Sequence, residues 1–89
     1  MNSPFMIRQA EVLANFLTTQ TDGADPRYQP EASARRFIQK AYLVLYGRPV
    51  TDVELRLGLE FLKGSKDAKV RRQEYAQVLL AANEMLFMD

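Results

Sequence analysis

The chain turns sharply between two helices within residues 43–55, and this turn constrains the fold more than any other stretch. Gly47 can adopt the left-handed conformation that ends a helix, and Pro49 cannot extend one. Thr51 followed three residues later by Glu54 is the pattern of a capping box, which starts a helix. The sequence therefore predicts one helix that ends before Gly47 and another that begins after Thr51.

Arg48 lies between these two signals, in a turn that they make rigid. A charged side chain that is only solvated would not need such a rigid turn. A guanidinium group can bind both oxygens of one carboxylate, so we expect a partly buried ion pair here. Glu84 is the first candidate partner, followed by Glu54 and Glu60. We expect structural roles for Gly47, Arg48, Pro49, Thr51, Glu54 and Glu84.

The composition indicates one globular domain and excludes several kinds of site. The 89 residues are 47% hydrophobic and 26% charged, which suffices for a single core. Cysteine and histidine are both absent, which excludes disulfides, thiolate nucleophiles and nearly all transition-metal sites. The net charge of +1, with acids and bases interspersed, gives no field that would attract nucleic acid or a membrane. We expect no cofactor, no nucleic acid and no membrane partner.

Hydrophobic spacing predicts four helices and no strand. The first helix begins at Ser3 and Pro4, an N-cap followed by proline at the first helical position. The other helices are predicted over residues 31–46, over 52–63 with Gly64 as the stop, and from 68 or 70 to 82. Residues 18–30 are predicted to form a long first loop, and we expect the Tyr28 side chain to pack against the bundle and hold this loop in place. The predicted fold is an all-α, compact four-helix bundle-like domain with a long first loop.

Each predicted helix carries an apolar stripe that we expect to face the core. In the first helix, Phe5, Val12 and Phe16 widen this stripe, so we expect the helix to be buried between two neighbours. From the first helix to the fourth, the stripes are Met6, Ala10, Leu13, Ala14 and Leu17; Ala34, Phe37, Ile38, Ala41, Tyr42 and Leu45; Leu55, Leu59 and Leu62, with Leu57 and Phe61; and Tyr75, Val78, Leu79 and Ala82.

The last residues of the chain are too apolar to be left in water. Asn83 could end the fourth helix, after which residues 84–89 fold back on the bundle or extend the helix by a turn. Phe87 and Met88 form a terminal apolar pair. We regard them as candidate contacts for a neighbouring domain.

A basic segment surrounds the third connection and is the alternative binding region. Its cations are Lys63, Lys66, Lys69, Arg71 and Arg72, opposed only by Asp67. One interpretation is a patch that binds a partner helix or an anionic ligand such as phosphate. The other, which the low net charge favours, is a solvated loop and first helical turn.

No arrangement typical of an enzyme appears in the sequence. Neither Asp52 with Glu54 nor Asp22 with Asp25 lies on one helical face, as a catalytic pair of carboxylates would. A helical first turn stabilises the charges of Asp52 and Glu54 by about 0.3–1 kcal/mol, which explains their presence. Glycine-rich phosphate loops and nucleophile elbows are missing as well. We therefore expect a protein that is not an enzyme.

Three segments form a pattern together: MNSPF at residues 1–5, residues 41–55 with the core YGRPVTDVEL, and LLAANEMLF at residues 79–87. They resemble the C-terminal region of large planctomycete-type proteins of unknown function, which often carry a cytochrome-c-like module upstream. In that family a second proline usually stands in place of Val50, and a phenylalanine in place of Met85. Both replacements keep the apolar character.

The resemblance implies that the chain is a fragment of a longer, exported protein, in the periplasm or at the cell surface, with Met1 an internal residue. The family has no established activity, so no site residue carries over. Our leading hypothesis is a non-catalytic C-terminal domain, monomeric when isolated, that packs against or scaffolds other domains of its parent. The alternatives are a stand-alone interaction module that uses the basic segment and a contributor to an active site completed by upstream domains.

Overall fold

The structure, a computed structural model, describes residues 4–22, 29–64 and 67–86, with side chains up to residue 83. It contains four helices: α1 (Pro4–Asp22), α2 (Pro30–Tyr46), α3 (Asp52–Leu62) and α4 (Ala68–Leu86). No strand occurs within those ranges. The predicted all-α, four-helix bundle-like fold is confirmed.

Helices α2 and α4 each pack against the other three helices. The largest contact joins α1 to α4, whereas α1 and α3 do not touch each other within the described ranges. Arg72, near the start of α4, binds side chains near the end of α1, so these two helices run antiparallel. The centre of the core is formed by Leu17, Phe37 and Ile38, each with an exposure of 0%.

The turn between α2 and α3 has the predicted geometry. Gly47 has a φ of 67°, and its amide donates to the Leu43 carbonyl at 3.1 Å. The Glu54 amide donates to Thr51 Oγ1 at 3.2 Å, and the Thr51 amide donates to Glu54 Oε1 at 2.9 Å. Both halves of the capping box are therefore present, and the helix stop and start are confirmed.

Helix α1 runs further than predicted, to Asp22 rather than ending before Thr18. The Thr19 and Thr21 hydroxyls donate to the carbonyls of Asn15 and Leu17, each at 2.9 Å, so the helix itself satisfies these polar groups. The first loop is correspondingly shorter than expected. Its residues 23–28, and with them the expected role of Tyr28, lie outside the described residues.

Helix α4 also runs further than predicted, through Asn83 to Leu86. Asparagine is a weaker helix stop than glycine, and no glycine or proline follows in residues 84–89 to end the helix. The predicted extension by another turn is therefore the correct alternative. Phe87 and Met88 lie outside the described residues.

Several side chains that were expected in the core are exposed instead. Phe5, Val12 and Phe16 are 71%, 60% and 46% exposed, because none of the described helices packs against that side of α1. Leu57 and Val78 are also exposed, as is Ala82. Their places on the inner faces of α3 and α4 are taken by Gly58, Arg72 and Ala76, which are all buried.

Candidate functional site

A buried arginine joins the ends of three helices. Arg72 of α4 is 7% exposed. Its Nη1 donates to Asp22 Oδ2 at 3.0 Å and to Thr18 Oγ1 at 3.2 Å, both at the end of α1. Its Nη2 donates to Ser33 Oγ, at the start of α2, at 2.8 Å. We call Thr18, Asp22, Ser33 and Arg72 the Arg72 cluster.

The groups of the Arg72 cluster are bound to one another. The Ser33 hydroxyl donates to Asp22 Oδ1, and the guanidinium lies over the Phe37 ring, 4.8 Å from its centroid. Burial raises the pKa of Asp22, but the Ser33 hydrogen bond and the charge of Arg72 outweigh burial, so the net pKa lies below the usual 3.8. Through these contacts the Arg72 cluster holds together the end of α1, the start of α2 and the start of α4.

The basic segment does not form one exposed surface in the part of the chain that the structure describes. Arg71 is half-buried: its Nε donates to the Phe61 carbonyl at 2.6 Å, and its guanidinium lies 3.9 Å from the centroid of the Phe61 ring. Neither sequence interpretation, a binding patch or a solvated turn, describes the buried Arg72. Lys63 and Lys69 are exposed as expected, and Lys66 lies outside the described residues.

Arg48 forms the expected fork with a carboxylate, but its partner is Glu54. Nη1 donates to Oε1 at 2.9 Å and Nη2 to Oε2 at 2.8 Å. The capping box already holds Glu54 in the turn, which makes it a nearer partner than Glu84, whose side chain lies outside the described residues. With side-chain exposures of 48% for Arg48 and 29% for Glu54, the pair is less buried than predicted.

The ion pair in the turn gives stability a defined dependence on pH. Hydrogen bonds from Arg48 and from the Thr51 amide lower the pKa of Glu54 to about 2, from 4.5 in the unfolded chain. The ionised carboxylate therefore stabilises the fold fully above pH 4.5, and this contribution is lost as the pH falls towards 2.

We expect Glu54→Gln to have a lower free energy of unfolding than the wild type at pH 7. This difference in free energy should shrink as the pH falls from 4.5 towards 2. Urea unfolding followed by circular dichroism across this pH range measures it. Glu60→Gln, at an exposed position of the same helix, is the matched control. A difference between Glu54→Gln and wild type that does not change with pH would contradict the assignment.

A cleft of about 580 Å³ lies beside the turn, between the end of α2 and α4. Tyr42 and Tyr46 line it, and the Tyr46 hydroxyl donates to the Leu79 carbonyl at 2.9 Å. Burial raises the pKa of Tyr42, Tyr46 and the neighbouring Tyr75 above the usual 10. These hydroxyls stay protonated near neutral pH and are poorly suited to general acid–base catalysis.

The outward side of α1 presents an apolar surface. Phe5, Gln9, Val12 and Phe16 follow one another at spacings of four, three and four residues, which places them on one stripe; we call it the α1 face. A groove of about 330 Å³ adjoins it and is also lined by Leu13, Leu45 and Leu80. Sequence spacing identified Phe5, Val12 and Phe16 as an apolar set but assigned them to the core.

Comparisons with known proteins do not add a candidate function. Neither a family model nor a curated protein nor a solved structure matches this chain. Among the described residues, no group of three or more acidic, cysteine or histidine side chains is placed to hold a metal ion. None of the described helices is long and apolar enough to span a bilayer. The α1 face and the contacts of the charged groups are therefore the features that bear on function.

Proposed function

We propose that this chain is a non-catalytic helical domain that packs against or scaffolds other domains of a larger protein, and that the α1 face is its docking surface. The observation that carries the proposal is the exposure of Phe5, Val12 and Phe16 on one stripe. Together these side chains expose roughly 300 Å² of apolar area, the size of patch that often marks an interaction site. The adjoining groove extends this area with Leu13 and Leu80.

The use of the charged and phenolic groups supports a non-catalytic role. Arg72 and Asp22 bind each other at the edge of the core, and Arg48 and Glu54 stabilise a turn. Arg71 packs against α3. Because Arg71 and Arg72 both have structural contacts, the alternative of a binding module based on the basic segment is the weaker proposal.

The proposal includes the parent protein that the sequence resemblance implies. A scaffolding domain with an apolar outer face suits a large, multidomain protein, where a partner domain on the same chain is present at high effective concentration. We accordingly propose an exported parent, in the periplasm or at the cell surface.

The test compares two glutamate substitutions in the parent protein. Val12→Glu places a charge in the α1 face, whereas Leu57→Glu is a matched control at a 64% exposed leucine of α3. We expect both variants to change the stability of the isolated 89-residue chain by no more than about 0.5 kcal/mol, since both sites are exposed. In the parent, only Val12→Glu should alter the sedimentation coefficient and increase hydrogen exchange in α1.

The proposal fails if the parent carrying Val12→Glu sediments like the wild type and its α1 amides keep the same protection. It also fails if Leu57→Glu has an equal effect, because the response would then not be specific to the α1 face.

A further inference from the structure

A cleft of about 280 Å³ lies between the start of α2, the end of α3 and the start of α4. We call it the Arg72 cleft, after the buried arginine that lines it. Its volume would hold roughly nine water molecules at about 30 Å³ each, and so an organic molecule with a similar number of non-hydrogen atoms. Most of the described lining is apolar and comes from Pro30, Ala34, Leu59, Leu62 and Ala68.

Arg72 has N–H groups to which the described residues offer no acceptor. A guanidinium has five N–H donors. Three acceptors bind those of Arg72: Thr18 Oγ1 and Asp22 Oδ2 at Nη1, and Ser33 Oγ at Nη2. None of the described residues accepts a hydrogen bond from Nε. Every fully buried side-chain nitrogen and oxygen in the described part of the chain has a partner, so Nε must touch accessible space.

The two remaining donors share one edge of the guanidinium, and this edge points away from α1. Asp22 and Ser33 are hydrogen-bonded to each other, so together they bind the end of the group that is formed by Nη1 and Nη2. Thr18 accepts from the other side of Nη1. The Nε–H and the second Nη2–H therefore lie on the edge opposite Thr18. Thr18 and Asp22 line a separate polar cleft beside α1, whereas the opposite edge faces the Arg72 cleft.

The charges around the Arg72 cleft favour an anion. An Nε–H and an Nη2–H side by side can bind both oxygens of one carboxylate, and the Arg72 side chain that presents them is only 9% exposed. Lys63 lines the cleft as a second cation, on its exposed side. The acidic residue of the described lining, Glu31, is also exposed, so solvent weakens its repulsion of an anion. The starts of α2 and α4 add their partial positive charges.

We infer that the Arg72 cleft binds a small carboxylate with a short apolar body, of about eight non-hydrogen atoms. The carboxylate accepts from Nε–H and Nη2–H of Arg72, and the apolar body contacts Leu59 and Leu62. This site differs from the exposed basic segment, because Lys69 and Arg71 are not among its described lining residues. The domain would then hold a ligand between its helices in addition to any partner on the α1 face.

Isocaproate, a branched carboxylate of this size, is the probe. We expect it to bind the wild-type chain with a dissociation constant of about 1 mM. In ¹⁵N NMR spectra at pH 7, the Arg72 Nε–H resonance should shift with saturation and exchange more slowly with water. A resonance that does not shift, or that shifts without saturation, overturns the inference and leaves water as the acceptor at this edge.

Two related molecules separate the contributions of charge and apolar body. Isocaproamide has the same shape without the charge and should bind at least about tenfold more weakly, because hydrogen bonds between charged groups are the stronger ones. Acetate keeps the charge, lacks the apolar body and should also bind at least about tenfold more weakly. Equal affinity of isocaproamide overturns the carboxylate contact, and equal affinity of acetate overturns the contact with the apolar lining.

A pair of leucine substitutions locates the ligand while Arg72 stays in place. Ala34→Leu fills the Arg72 cleft and should weaken isocaproate binding at least about tenfold. Thr19→Leu is the matched control, since Thr19 is exposed and lines the polar cleft on the other side of Arg72. We expect it to bind isocaproate like the wild type. The site is overturned if Ala34→Leu binds normally, or if Thr19→Leu loses binding to the same extent.

The inference and the proposed function can fail separately, because none of the described lining residues of the Arg72 cleft belongs to α1. Val12→Glu should therefore bind isocaproate like the wild type. A chain that does not bind isocaproate has no ligand site in the Arg72 cleft, but its α1 face can still be the docking surface. A parent protein that is unaffected by Val12→Glu rejects the docking surface and leaves the cleft as a binding site.

Discussion

Arg72→Ala is expected to lower the free energy of unfolding by about 3 kcal/mol. The substitution removes a side chain that is only 9% exposed and leaves Asp22 and Ser33 without its hydrogen bonds. Because the Asp22 side chain is 24% exposed and can take up water, the loss falls at the low end for a buried ion pair. Urea unfolding measures the change, and the melting temperature should fall by about 12 °C or more.

Two further variants define the origin of this loss. Arg35→Ala, at an exposed position of α2, should change stability by no more than about 0.5 kcal/mol. The double variant Asp22→Ala with Arg72→Ala should cost less than the sum of the single changes, because removal of both charges leaves neither of them unpaired. Should Arg72→Ala match Arg35→Ala, the Arg72 cluster would not contribute to stability.

Gly58→Val is expected to lower the free energy of unfolding by about 3 kcal/mol through overpacking. A Cβ atom at Gly58 would lie 2.7 Å from the Tyr75 hydroxyl oxygen and 2.8 Å from Ile38 Cδ1. The methyl end of Ile38 can move, but the ring of Tyr75 is held between the rings of Phe37 and Phe61, with centroid distances of 6.5 and 5.5 Å. Valine adds two further methyl groups to this contact.

The matched control for this substitution is Arg56→Val on the exposed side of α3. It introduces the same β-branched side chain into the same helix and should cost less than about 1 kcal/mol, the difference in helix propensity. Thermal and urea unfolding of both variants compares the two sites. Equal costs would mean that the interior has room at Gly58 and that α3 does not approach its neighbours as closely as described.

The parts of the fold that could be predicted depend on short stretches of sequence. The stop at Gly47 and the start at Thr51 depend on contacts within four residues, and both were identified from the sequence. The partner of Arg48 was ranked second although it lies only six residues away. The capping geometry of Glu54 would have favoured it over the distant Glu84.

The Arg72 cluster was not predicted, because it depends on packing between distant segments. Arg72 binds Asp22 and Ser33, which lie 50 and 39 residues away in the sequence. One signal was available: Arg72 shares a helical stripe with Tyr75 and Leu79, at spacings of three and seven residues. An arginine is almost never fully buried unless it is paired, so a cation on an apolar stripe is a candidate for a buried ion pair.

The α1 face was misassigned for a related reason. Spacing shows which residues of a helix lie on one side, but it does not show how many neighbours the helix has. A buried stripe already runs along the side of α1 that α2 and α4 cover, and it contains Met6, Ala10, Ala14 and Leu17. This stripe already fills the contact of α1 with the core, so the other apolar residues of α1 remain exposed.

The Arg72 cluster has a consequence for biosynthesis, because it joins the first helix of the bundle to the last. During translation, Asp22 and Ser33 are synthesised 50 and 39 residues before Arg72, so their hydrogen bonds to Arg72 cannot form until α4 is available. The first three helices alone also lack Tyr75, Ala76 and Leu79, which complete the core around Phe37. The domain thus acquires its final structure only after α4 has emerged, as one cooperative event.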